Sequence, residues 1–237
     1  MRRAREIRPY DTPIGIASAW IAAAWLAAAT PTEAALIDIS GVLSGSASSS
    51  ADEDETDTPA AAPLGFGVTT FAVTSPPGAG DEETIVSQTA TIAAGGLRLE
   101  GVSDANDNAS GFTTSGRMNA AVTFSVDTPE PYTLTFTKNT DNGGTAAATL
   151  VGLVGTAPVL FDFDDAGQAG FVTRVATIDL EPNVVYILAV ELTSAAGGNQ
   201  PTDESIARYT LTLVPVPEPA TAALLALAVF GRRRHRR

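Results

Sequence analysis

The sequence predicts an all-β chain: one antiparallel β-sandwich domain, jelly-roll-like, with a short hydrophobic helical segment at each terminus. Three observations predict it. From Leu64 onward, apolar residues recur at every second position, rich in β-branched and aromatic types and bounded by Gly, Pro, Asn and Asp. That is the period of strands with one buried and one wetted face. Residues 35–215 contain no stretch with a convincing amphipathic helical period, and two apolar runs, 14–29 and 222–230, lie outside them at the two ends.

At the N-terminus, Arg2, Arg3, Arg5 and Arg8 precede the run 14–29, and Thr30-Pro31-Thr32-Glu33-Ala34 follows it. A basic start, an apolar stretch and a small-x-small site make residues 1–34 a secretory signal, cut between Ala34 and Ala35. A short permanent membrane anchor is the alternative. The twin arginines lack the rest of a Tat-type pattern, and with no cysteine after the run a lipoprotein is excluded.

The chain has no cysteine at all, so residues 35–215 must be held by core and strand pairing without disulfides. Their charge is strongly one-sided. Arg98, Arg117, Lys138, Arg174 and Arg208 stand against 23 Asp and Glu, a balance of −18, while the other nine of the 14 Lys and Arg lie in the terminal segments. Such a surface repels nucleic acid and anionic lipid and favours solubility outside the cell.

Residues 36–43 alternate as a first strand. A serine run and then Asp52-Glu53-Asp54-Glu55-Thr56-Asp57 follow. Neither buries apolar area, so 44–63 reads as a disordered loop. Further strands are expected at 66–73, 84–93, 97–102, 119–127, 132–138, 146–154, 159–163, 172–180, 185–192 and 208–214, a series that makes a two-sheet sandwich the first choice and a barrel the second. Three segments echo one another, entering through Tyr132, Tyr186 and Tyr209, each with apolar residues at alternate places. Before the second stands Leu180-Glu181-Pro182-Asn183, a turn in which Pro presets φ and Asn tolerates a positive φ.

The C-terminal segment, 216–237, reads Val216-Pro217-Glu218-Pro219-Ala220-Thr221, then the apolar run, then Gly231 and Arg232, Arg233, Arg234, His235, Arg236 and Arg237. The prolines stop any strand or helix and leave an extended segment. Residues 220–231 beyond them would span only about 18 Å as a helix, short of a hydrocarbon core of about 30 Å. The arginines should stay cytoplasmic, holding the domain outside.

This order of Pro-Glu-Pro, apolar stretch and arginine cluster resembles the PEP-CTERM sorting signal, the substrate motif of membrane proteases called exosortases. The resemblance implies that signal peptidase and an exosortase-type protease process the chain, that the tail touches the inner membrane transiently, and that cleavage near Pro217–Pro219 passes the body to the cell surface or extracellular matrix. The apolar stretch is shorter than is usual in that family, which bears on membrane insertion more than on recognition. The body is similar in texture to others found ahead of such tails, which implies a fold and no activity.

Histidine narrows the chemistry further. The only one is His235 in the tail, so 35–215 holds neither histidine nor cysteine, and nucleophile–histidine, thiolate and histidine–zinc sites are absent from it. No catalytic, cofactor-binding or metal residue is assigned, and no cofactor is expected. Two oxygen-rich turns, 104–111 and 162–167, leave calcium and a plain polar hairpin open as alternatives; the first lacks the glycine and twelfth-position acid of an EF-hand. The expectation is a non-catalytic surface or matrix protein with a structural or interaction role. The alternative is a polysaccharide-binding sandwich, with or without calcium, using loops such as 103–116 and 162–170. Against it, both tryptophans, Trp20 and Trp25, lie in the signal, leaving no obvious aromatic platform.

Overall fold

In the computed structural model the described residues are 34–51, 54–75, 83–107, 113–153, 158–164, 169–197 and 203–216. They form strands β1 (Leu36–Ala51), β2 (Asp54–Leu64), β3 (Gly67–Thr74), β4 (Glu83–Ala93), β5 (Gly96–Asp107), β6 (Thr113–Val126), β7 (Glu130–Thr140), β8 (Thr145–Gly152), β9 (Val159–Asp164), β10 (Gly170–Leu180), β11 (Tyr186–Gly197) and β12 (Asp203–Pro215). The expected terminal helices fall outside the described residues. Among those described, no helix is long and apolar enough to cross a membrane.

The strands make two antiparallel six-stranded sheets, ordered β2-β1-β6-β11-β8-β9 and β10-β7-β12-β5-β4-β3. From β5 to β12 every step but β8 to β9 crosses from one sheet to the other, and β12 returns to lie beside β5. The period-two pattern causes this packing, because alternate residues of each sheet turn inward to one core. Tyr132, Leu134 and Phe136 of β7, Leu188, Val190 and Leu192 of β11, and Leu211 and Leu213 of β12 are all buried in it. The three echoing tyrosines are buried too, Tyr186 stacking on Phe124 at 5.6 Å and Tyr209 on Phe136 at 6.2 Å between ring centroids. The Leu180 turn has the expected geometry, with Asn183 at φ 64°.

Residues 44–51 and 54–63 differ from expectation: they are strand, not loop. β1 continues through the serine run, pairing β6 on one side and β2 on the other, and β2 carries the chain back from Asp54 to Leu64. The small side chains permit close approach rather than signalling disorder. At Gly45 an added Cβ would lie 2.6 Å from the Arg117 carbonyl oxygen and 3.3 Å from both Phe71 Cε1 and Val86 Cγ1, and Ala47 beyond it is fully buried. Pairing on both sides satisfies the backbone, which an acidic composition does not prevent.

The registers also give the body two distinct ends. Leu36 pairs with Val126, Pro215 pairs with Tyr132, and the Val216 N–H donates to the Pro131 carbonyl at 2.8 Å, so the chain enters and leaves the sandwich beside the β6–β7 turn. At the other end, Ser50 and Gly197 both pair with Thr113, Asp203 pairs with Asp107, and Glu83 pairs with Asn106.

Candidate functional site

The residues assigned to processing divide at the edge of the described structure. Ala34 is buried and its N–H donates to Glu130 Oε2 at 3.2 Å, while the Ala35 N–H donates to Asp127 Oδ1 at 2.8 Å. Val216 is the last described residue. Pro217, Glu218, Pro219 and Arg232, Arg233, Arg234, Arg236 and Arg237 lie outside the described residues. The start of the sandwich and the start of the tail are thus pinned to one turn, 127–131, by backbone donors on fixed acceptors.

At the far end the described strand ends carry Asp54, Glu83, Asp104, Asp107, Asp203 and Glu204. Segments 52–57, 81–83, 104–107 and 203–204 hold twelve of the 23 acids of residues 35–215 and no Lys or Arg. The strands bordering these segments run to that same end. Of the two oxygen-rich turns, 108–111 and 165–167 lie outside the described residues; Asp104 sits on β5, and Asp162 on β9, where its Oδ1 accepts from Thr149 Oγ1 at 3.4 Å. Among the described residues no group of three or more His, Cys, Asp or Glu is placed to hold a metal ion.

The tyrosines are core groups rather than reagents. Burial pushes the Tyr132 hydroxyl up to about 12, with Glu130 and Asp127 adding to the shift. Burial also raises Tyr209, offset in part by the Gln88 amide that donates to its oxygen at 3.3 Å. Neither ionises near neutrality, so neither serves as a base or nucleophile there.

A third feature lies on the outer face of the second sheet, toward the acidic end, and sequence reading missed it. In antiparallel sheets, residues directly opposite one another share a face at about 5 Å spacing. Phe171 of β10 pairs with Asn139 of β7, and Asn139 pairs with Arg208 of β12, so these three side chains form one outward-facing row. Phe171 is 73 % exposed. Two adjoining shallow depressions share Asn139 and Arg208: one of about 410 Å³ reaches Asp141, Ala169 and Gly170, and one of about 160 Å³ reaches Phe171, Thr137 and Thr210. Arg208 forms no ion pair with any described residue, whereas Arg98 and Arg117 are paired with Glu100 and Glu191 and Arg174 lies over the Phe163 ring at 5.8 Å. The missed signal was Phe171 itself, standing one residue ahead of the expected strand 172–180.

Comparison with known proteins decides the C-terminal segment. Residues 215–237 match the PEP-CTERM protein-sorting motif. The chain carries a PEP-CTERM sorting signal. That signal implies export and sorting to the cell envelope or surface, with an exosortase-type membrane protease as the processing partner. It begins on the last residue of β12, with no intervening linker.

No curated protein matches the chain. Among solved structures it is similar to one described as "CBM4 structure and function", at 12% identity and TM-score 0.25 over 63% of this chain and 95% of that one. It is also similar to the enzymatically active domain of bacteriophage CBA120 tailspike protein 4, at 10% identity and TM-score 0.26, covering 73% of this chain and 19% of that one.

Proposed function

We propose that this protein is a non-catalytic component of the cell surface or extracellular matrix, exported by its N-terminal signal and released to its site through its PEP-CTERM tail. The body is a jelly-roll-wound sandwich that acts by display and interaction. The observation that carries the reading is the match at 215–237, contiguous with the last strand. The geometry of the body supports it. Chain entry and exit lie together beside the β6–β7 turn. A body held at the membrane by either terminus therefore presents its opposite, acidic end outward, where it stays solvated and repels its neighbours. The absence of histidine and cysteine from residues 35–215 supports a role without catalysis.

The test follows the tail. Glu218→Ala, or deletion of 232–237, should leave a larger precursor in the membrane fraction, while the intact mass of wild-type protein from the cell surface should lack both 1–34 and the segment beyond about residue 217. Normal sorting of both variants would defeat the sorting reading.

A second reading, binding of polysaccharide by the sandwich, is favoured by one observation: the exposed Phe171 in line with Asn139 and Arg208.

A further inference from the structure

Resting on that second reading, we infer that the Phe171–Asn139–Arg208 row is a sugar-binding subsite for a neutral pyranose within a polysaccharide chain. Three properties of the row select that ligand. The first is the ring. A pyranose presents an apolar C–H face and a rim of hydroxyls, and an exposed aromatic beside hydrogen-bonding side chains complements both. Phe171 is 73 % exposed on the outer face, and Val175, two places along the same face, is 64 % exposed. Between and beside them stand hydroxyls: Thr173 Oγ1 and Thr137 Oγ1 lie 3.1 Å apart, and Thr210 pairs with Thr137 on the next strand. Phe66, the other exposed phenylalanine among the described residues at 59 %, lies outside any strand, at the bend before β3.

The second property is the donor and acceptor set. Asn139 offers both an amide N–H and a carbonyl, and Arg208 offers a guanidinium without a carboxylate partner among the described residues. Asp141, lining the same depression, adds acceptor oxygens, one of which already receives the Asn142 N–H at 3.0 Å. Vicinal hydroxyls, which donate and accept at once, satisfy such a mixture; a fully anionic group does not.

The third is charge. A uronate or sulfated sugar would meet Arg208 but also Asp141, in a body whose balance is −18. Repulsion over that surface disfavours an anionic chain. The row also belongs to an edge. β10 is the outermost strand of its sheet, so a linear polymer can cross it without obstruction from a further strand. All three side chains stand on paired strands, which hold them in place before ligand arrives.

The experiment uses the full chain and its variants in affinity gels and calorimetry against defined probes: soluble neutral β-glucan, xylan and mannan, with polygalacturonate as the anionic comparison. Retention by at least one neutral polymer is expected, with polygalacturonate passing unretained. Phe171→Ala and Arg208→Gln should each weaken binding about tenfold or more, and Phe66→Ala should leave it unchanged. Equal retention of Phe171→Ala, no binding to any neutral polymer, or preference for polygalacturonate would each overturn the subsite. So would concentration-dependent dimerisation in sedimentation that Phe171→Ala abolishes, since the face would then be covered by a second copy. Processing of the tail is scored separately by mass on the same samples, so failure of the sorting reading and failure of the subsite are told apart.

Discussion

Asp127 accepts the backbone N–H of Ala35 through Oδ1 at 2.8 Å, and three residues on, Glu130 accepts that of Ala34 at 3.2 Å. The Ala35 hydrogen bond holds the Asp127 carboxyl below the usual carboxylate range. A carboxyl depressed in the folded state contributes stability that is present above its unfolded pKa and lost as pH falls through its folded one. Asp127→Asn should therefore lower Tm by about 1–2 °C at pH 7, the scale of an exposed charge-assisted contact. The difference between variant and wild type should shrink as pH falls through the depressed folded pKa of Asp127 and vanish below it. In the proposed processed protein, cutting at Ala34 turns the Ala35 amide into an ammonium on the same carboxylate, and cutting one bond earlier places the ammonium of Ala34 on Glu130. The deficit of Asp127→Asn should then be larger in the protein cut after Ala34 than in the precursor. Thermal scans of both forms across pH check this, and a pH-independent difference would refute it.

Tyr186 folds its hydroxyl back onto the turn that precedes it, accepting the Glu181 N–H at 2.6 Å and donating to the Glu181 carbonyl at 3.3 Å. One side chain thereby satisfies two backbone groups of a turn that Pro182 and Asn183 shape. Tyr186→Phe keeps the ring stacked on Phe124 but strands both groups, and should cost about 1–3 kcal/mol. Denaturant unfolding measures the loss; a variant as stable as wild type would show that water replaces the hydroxyl without penalty.

Gly101 lies opposite Tyr209 on the inner face, and a Cβ there would stand 2.4 Å from Tyr209 Cε1 and 3.0 Å from Met118 Cε. Tyr209 is not free to swing away, because its ring stacks on Phe136 and its oxygen accepts from Gln88. Gly101→Ala should destabilise by about 1–3 kcal/mol through overpacking. Tyr209→Leu in the same chain should recover part of it, since contacting sites are not additive. Simple addition of the two single losses would mean that the crowding is relieved elsewhere.

Much of this fold was legible in the sequence because alternation reports directly which side of a strand meets the core. The residues entering through Tyr132, Tyr186 and Tyr209 are buried where their period places them. The alternation failed at β1, where Gly45, Ala47 and Ser49 occupy inward positions that larger residues usually mark, and an acidic segment follows in the chain. Gly45 is small because Phe71 and Val86 press on it, and no local pattern records that. The Phe171 row was invisible for another reason. Its three members come from three strands, far apart in the chain, and only the registers of β10 on β7 and β7 on β12 place them in line.

The acidic end is the remaining feature whose consequence is measurable. Asp54, Glu83, Asp104, Asp107, Asp203 and Glu204 stand on strand ends at one end of the sandwich, with no Lys or Arg in the segments that hold them, and like charges gathered there repel one another more in the folded state than in an extended chain. Salt shortens the range of that repulsion to about 8 Å at physiological ionic strength and about 3 Å at 1 M. Raising NaCl from low to molar concentration should therefore increase Tm by a few degrees. Asp104→Asn, which removes one of these charges from the surface of β5, should raise Tm at low salt and lose its advantage in high salt. Calcium chloride separates screening from binding. Where screening alone acts, calcium and magnesium at matched ionic strength should shift Tm equally. A rise with calcium that magnesium does not reproduce would instead mean that the end assembles a specific site, and the purely repulsive account would have to be given up.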